Sequence, residues 1–181
     1  ALAWANRLPI DVVKTAGQLG PAAARATAIA ASSATLLATL DADDCFMESH
    51  LASMRAAYER TNDGLASANT LRWIPDVLTS DVPLSALAPV PAARDQLHWL
   101  LDANHLSSAA LFSRARYDAV GGFRAEFHGT EDWDLWIRMV RAGTEVVRPV
   151  EPTLLYRLSA GSVSSDDRLV QAKLQVLDAA E

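Results

Sequence analysis

Two stretches concentrate carboxylates in a way that could do chemistry. In "LDADD", Leu40 to Asp44, three aspartates fall within four residues directly behind the apolar run "ATLLATL". In "HGTEDWDLWIRM", Gly129 frees the chain to turn before Thr130, Glu131 and Asp132 open a helix. Hard divalent cations such as magnesium or manganese take oxygen ligands, usually one or two carboxylates completed by water and substrate phosphates. An Asp-x-Asp turn offers such ligands and bridges naturally to a diphosphate. Capping is the competing explanation: Asp43 or Asp44 would cap the helix that follows, and Thr130 the second helix, with its acids at the positive end of the dipole. It leaves one aspartate of the first cluster unexplained. An EF-hand does not fit, since Phe46 stands where the loop needs glycine and Ala52 where it needs glutamate. A phosphohydrolase using Asp41 and Asp43 would want a later lysine, and the only one, Lys173, sits in the terminal segment. His98 and His105 have no convincing ligand spacing. His128 neighbours Asp132 on a glycine-bearing loop and is a candidate substrate contact.

The elements that must hold these residues alternate between strand and helix. A short strand is expected at Ile10 to Val13, then a helix in "PAAARATAIAAS" with Pro21 in its first turn. "ATLLATL" reads as a buried strand ending at Asp41, and ligands of open α/β sheets lie beyond such strand ends. Met47 to Arg60 has helical spacing with Leu51, Met54 and Tyr58 on one stripe. Asn62, Asp63 and Gly64 signal a turn, and "LASANTLRWI" a strand. The proline-bearing stretch Asp81 to Pro91 is a loop of the kind that varies around binding sites. "ARDQLHWLLD" is a short helix, "LSSAALF" a strand, and "RARYDAV" a helical turn stopped by Gly121 and Gly122. Glu131 to Ala142 is the clearest helix, with Trp133, Trp136, Ile137 and Val140 facing inward. "TEVVRPV" and "TLLYRL" read as short strands. "DDRLVQAKLQVLDAA" closes the chain as an amphipathic helix with Leu169, Val170, Leu174 and Leu177 as its stripe. The alternation implies an α/β sandwich, without repeats.

The chain has 181 residues, half of them hydrophobic, enough for one core. A net charge of -6 argues against a nucleic-acid backbone as ligand. Cys45 is the single cysteine and suits a reducing compartment. No apolar run approaches the ~18 residues of a membrane span, and no signal-peptide layout opens the sequence. The expectation is a cytoplasmic protein, with peripheral association at a membrane left open.

In their order, these segments resemble glycosyltransferase family 2, whose catalytic domain is a nucleotide-sugar-binding α/β fold called GT-A. "LDADD" resembles that family's metal and diphosphate motif, "ALFSRARYDAVGGF" the segment before its active-site helix, and "GTEDWDLWIRMVRAG" its catalytic-base region. "TLLYRLSAGSVSSD" is similar to its C-terminal element, and "GPAAARATAIAAS" to the helix before the acidic turn. The resemblance implies a mixed, mostly parallel central sheet flanked by helices. It implies a metal-dependent, inverting transfer of a single sugar from a nucleotide-diphosphate donor to a carbohydrate, lipid-linked or other hydroxyl acceptor. A Gln-x-x-Arg-Trp motif of polymerising relatives is absent from the sequence, which favours single additions. By the same resemblance Asp43 coordinates Mn2+ or Mg2+, Asp41, Arg25 and Arg157 contact the donor, and Asp44 caps or assists. Asp132 is the general base, with Glu131, Trp133 and His128 on the acceptor side; Trp133 at helical spacing also fits the core.

Three departures from the family pattern accompany this. Ala26 and Ala28 stand where Asn and Gly are common, and Ser159 stands where a histidine often reaches the metal. The family's first strand and nucleotide-base loop would precede Ala1. Residues 1–181 are thus expected to form a single, N-terminally incomplete domain with an exposed sheet edge, which alone binds nucleotide poorly and transfers no sugar. A homo-oligomer is left open. The alternatives are a non-catalytic GT-A-like remnant serving carbohydrate binding or assembly, and the Asp-x-Asp phosphohydrolase.

Overall fold

A computed structural model describes residues 9–17, 19–73, 89–157 and 168–180. Helix α1 spans Gly20–Ala30 with proline in its first turn, where the missing N–H costs nothing. Strand β1, Leu36–Ala38, leads into the acidic turn, and β2, Cys45–Phe46, follows it. Then come α2, His50–Tyr58; β3, Leu65–Ser67; and β4, Thr70–Trp73. A 3-10 turn at Ala93–Asp95 runs into α3, Gln96–Asp102, and β5, Ala110–Ser113, runs into α4, Arg114–Ala119. Helix α5, Glu131–Arg141, is followed by β6, Val146–Val147, β7, Leu154–Arg157, and α6, Arg168–Asp178.

The central sheet has the order β1-β5-β3-β6, and a smaller one the order β2-β7-β4. Strands β1, β3 and β6 share a direction, as expected. Because β5 runs against them between β1 and β3, the sheet is mixed, with three of its four strands in one direction and parallel pairing confined to β3 and β6. Every residue of β5 is buried, so the sheet is covered on both faces and the strand reads as a continuous small-to-apolar run. Period-two alternation divides those residues between two cores. Leu65, Ala110 and Phe112 join Trp133, Trp136, Leu100 and Val176, which come from α5, α3 and α6. Ala66 and Leu111 instead meet Met54 and Ala57 of α2 on the opposite face.

Four local expectations are corrected. Ile10 to Val13 form no strand; Val12 and Val13 are 45% and 44% exposed, and an apolar run without a pairing partner cannot bury its backbone groups. "LASANTLRWI" breaks at Ala68 and Asn69 into β3 and β4, where the chain leaves one sheet for the other. The inward stripe of α2 is His50, Met54 and Ala57, with Leu51 exposed, because the helix begins at His50 rather than Met47. The His50 ring stacks on Phe46 at 3.7 Å, fixing that rotation. On α6 the buried residues are Ala172 and Val176, continued by Ala180 just beyond its end, while Leu174 is exposed. The side chains of Leu169 and Val170, Ser159, and most of the loop from Asp81 lie outside the described residues. Among the described residues no helix is long and apolar enough to cross a membrane.

The turn after α4 places two glycines at φ 80° and 71°. At Gly122 a Cβ would come within 2.7 Å of the buried Tyr117 ring, whereas at Gly121 it would meet open space. Gly122→Ala is therefore expected to cost about 2–3 kcal/mol from strain and overlap together, and Gly121→Ala only about 1 kcal/mol. Thermal unfolding of the pair of variants measures the difference; equal melting temperatures would contradict it.

Candidate active site

The acidic turn leaves the end of β1 with each aspartate in a different setting. Asp41 Oδ1 accepts from Arg25 Nη2, and Asp41 Oδ2 accepts from Ser108 Oγ at 2.7 Å. Asp43 is exposed and makes no hydrogen bond or ion pair among the described residues. Asp44 is buried; its Oδ1 accepts the backbone N–H of Arg157 at 3.0 Å, and its Oδ2 has no hydrogen-bond partner among the described residues. Burial pushes its carboxyl up to about 6, against the pull of the Arg157 N–H, with Asp43 and Asp41 adding to the rise. Neither Asp43 nor Asp44 caps the next helix, whose N-cap is Ser49, and β2 intervenes. Asp44 instead fastens the turn to β7, whose Leu155 and Leu154 pair with Cys45 and Phe46.

The second cluster opens α5. Thr130 occupies the N-cap but makes no side-chain capping bond, contrary to the capping expectation. Glu131 instead holds the chain just before the helix: its Oε2 accepts the N–H of Gly129 at 2.9 Å, and its Oε1 accepts from Arg25 Nη1 at 2.7 Å. Asp132 is half-buried, and its Oδ1 accepts the N–H of Trp133 at 2.7 Å and Asn104 Nδ2 at 3.4 Å. Burial, then the charge of Glu131, pushes the Asp132 carboxyl from 3.8 up to about 6; Arg25, the Trp133 N–H and Asn104 oppose the rise.

One side chain joins the clusters. The Arg25 guanidinium, 13% exposed, forks between Asp41 and Glu131 and lies 5.6 Å from the centre of the Phe123 ring. Burial works against its charge, but Asp41, then Glu131 and Asp132, outweigh it and hold its pKa above the ordinary value. A planar fork suits two carboxylates at once. With Ala26 and Ala28 beside it, Arg25 takes its support from these acids rather than from its own helix.

The remaining expected residues are placed as follows. Arg157 reaches the acidic turn through its backbone N–H. Trp133 is 2% exposed and its indole N–H donates to the Leu100 carbonyl at 2.7 Å, so it packs in the core rather than lying open to an acceptor. His128 is exposed and lies over Gly20 at the start of α1, whose added Cβ would sit 3.1 Å from its Nδ1. Among the described residues no group of three or more His, Cys, Asp or Glu side chains is disposed to hold a metal.

Sequence reading missed Asn104 and Ser108, which come from one loop before β5 and touch one acid of each cluster. Polar residues preceding a strand give no signal of that kind. It also missed Asp134, 2% exposed, which is clamped by Arg124 and by Arg138 at 2.6 Å. Arg138 donates in turn to the carbonyls of Val120 and Gly122 at 2.5 and 2.7 Å, tying α5 to the glycine turn. The four-residue spacing of Asp134 and Arg138 was legible as a helical pair.

The sequence profile "Glycosyl transferase family 2" matches residues 2–117, and the profile "N-terminal domain of galactosyltransferase" matches residues 89–158. No curated protein matches the chain. Among solved structures it is similar to the crystal structure of S. aureus TarS 1-349, with a TM-score of 0.63 and 16% identity. That superposition covers 86% of this chain and 46% of TarS 1-349, so the chain spans less than half the length of that structure. The fold is the mixed α/β arrangement of GT-A glycosyltransferases. With more than half of its length matched by the first profile, the chain belongs to glycosyltransferase family 2.

Proposed function

We propose that these residues form part of a site for metal-dependent, inverting transfer of a single sugar from a nucleotide-diphosphate donor to an acceptor hydroxyl. The observation that carries the reading is the Arg25 fork, which brings the Asp41 turn and the start of α5 into one ion-paired cluster from distant parts of the sequence. Transfer with inversion needs a carboxylate on the acceptor side and stabilisation of the departing diphosphate on the other. In the proposed reaction Asp132 takes the acceptor hydroxyl proton, the oxygen forms its bond to the anomeric carbon, and the bond to the diphosphate oxygen breaks with its electron pair. Glu131, fixed by Arg25 and Gly129, orients the acceptor. Asp41, held by Arg25 and Ser108, contacts the nucleotide part of the donor, and Arg157 lies on the same side.

The residues fit a hard cation of the Mn2+ or Mg2+ type. Among the described residues the Asp43 carboxylate has no hydrogen-bond or ion-pair partner and the buried Oδ2 of the adjoining Asp44 has no hydrogen-bond partner, and such ions complete their shell with donor phosphates and water. When bound, the cation supplies charge neutralisation on the diphosphate. The hydrogen bonds to both oxygens of Asp41 lower its nucleophilicity and disfavour a hydrolytic role, while each oxygen keeps a lone pair that can accept from a donor hydroxyl. The acceptor class stays within carbohydrate, lipid-linked or other hydroxyl compounds, and a cytoplasmic site is the setting proposed for the donor.

The base has to be ionised to act, and its pKa stands at about 6. Nucleoside diphosphate release by the full-length protein, supplied with donor, acceptor and manganese, is expected to rise about tenfold per pH unit below that point and to level off above it. A rate flat from pH 5 to pH 8 would sink the assignment of Asp132.

A further inference from the structure

We propose that Asn104 is a positioning residue for sugar transfer, holding the Asp132 carboxylate in the orientation its proton-accepting role needs. The proposal rests on the reading of Asp132 as the base. Asn104 is exposed, yet its amide has a fixed direction. Its Oδ1 accepts the N–H of Leu106 at 3.2 Å, which leaves Nδ2 as the end that faces Asp132 Oδ1 at 3.4 Å.

The loop that carries it is pinned along its length. The Arg148 guanidinium donates to the His105 carbonyl at 2.6 Å, and the Ser107 N–H donates to Ser67 Oγ of β3 at 3.0 Å. Thr39 Oγ1 donates to the Ser108 carbonyl at 2.5 Å, and Ser108 Oγ to Asp41 at 2.7 Å. At the other end Trp133, the neighbour of Asp132, donates to the Leu100 carbonyl of α3. Asn104 is thus delivered to Asp132 by a segment anchored to both acidic clusters.

A long hydrogen bond at the surface adds little to stability. Its effect is directional. Asn104 and the Trp133 N–H both address Oδ1 of Asp132, and no donor among the described residues addresses Oδ2, so Oδ2 is the oxygen left to receive a proton. The charged groups facing this carboxyl are Glu131 on its own helix, which repels it, and Arg25 from α1, which attracts it. Asn104 adds a neutral donor from a third element and favours the ionised form.

The test is a carbon-13 NMR titration of the Asp132 carboxyl in the 181-residue chain, comparing the unaltered protein with Asn104→Ala and the near-isosteric Asn104→Asp. The midpoint is expected to rise by about half a unit in Asn104→Ala and further in Asn104→Asp, with melting temperatures unchanged. If alanine unfolds the loop, Asn104→Leu, which removes the donor at similar size without adding a charge, carries the comparison. An unmoved midpoint in a folded variant overturns the proposal, as does a midpoint that moves only together with loss of stability. Transfer retained by Asp132→Asn in the full-length protein overturns the base assignment and the role of Asn104 with it. An inactive Asp132→Asn with an unmoved midpoint overturns the role of Asn104 alone.

Discussion

Asp132→Asn in the full-length protein is expected to cut sugar transfer by about 10²–10⁴-fold while leaving donor affinity roughly unchanged. The amide keeps the size of the side chain and can still accept from Asn104 and the Trp133 N–H, but it cannot take a proton from an acceptor hydroxyl. The variant should also be at least as stable as the original at neutral pH. The folded-state pKa of Asp132 lies near 6, above the ordinary 3.8, so the folded protein binds this proton more tightly than the unfolded chain does. The stability that follows is fully present below about 4 and is lost as pH rises through about 6, which means the ionised group is a burden at pH 7. Loss of activity with an equal or higher melting temperature separates a chemical role from a structural one. A variant that turns over at the original rate removes Asp132 from the mechanism.

The second large effect belongs to Arg25. Its guanidinium is the shared counter-charge of Asp41 and Glu131, whose side chains are 30% and 5% exposed, and it lowers the pKa of Asp132. Arg25→Met preserves much of the apolar stem but leaves these carboxylates facing one another without a counter-charge. Breaking a buried pair from one side costs about 3–5 kcal/mol, and the partial exposure of Asp41 places this case near the lower end. For a chain of this size that corresponds to a melting temperature lower by roughly 10 °C. Arg25→Lys should recover only part of the loss, since an ammonium cannot fork between two acids. An Arg25→Met protein that melts with the original would show that the bridge contributes nothing to holding the clusters together.

Much of this architecture was written in local pattern. The inward face of α5 followed from helical spacing, and Trp133, Trp136 and Ile137 are buried as that spacing requires. The two acidic clusters stood out by composition alone. What joins them did not, because Arg25 and Glu131 are 106 positions apart and no periodicity reports a contact of that range. The same holds for Asp44 and the backbone of Arg157, 113 positions apart, which makes Asp44 a clasp on β7 where local reading offered a helix cap. Ile10 to Val13 failed for the converse reason: a β-prone run is only half of a strand, and the pairing partner decides. On α2 the pattern was sound but the phase was not, since the helix starts three residues later and turns Leu51 outward.

The central claim is that the Asp41 turn and the start of α5 form one site for moving a sugar, and the phosphate product tests it most directly. The full-length protein should be incubated with uridine, guanosine and thymidine diphosphate sugars and manganese, beside an Asp132→Asn control, and the released phosphate species separated. The account predicts nucleoside diphosphate from the original protein with at least one donor, in step with a glycosylated product, and neither from the control. Orthophosphate or sugar phosphate as the product, or nucleoside diphosphate release that the control retains in full, would contradict it.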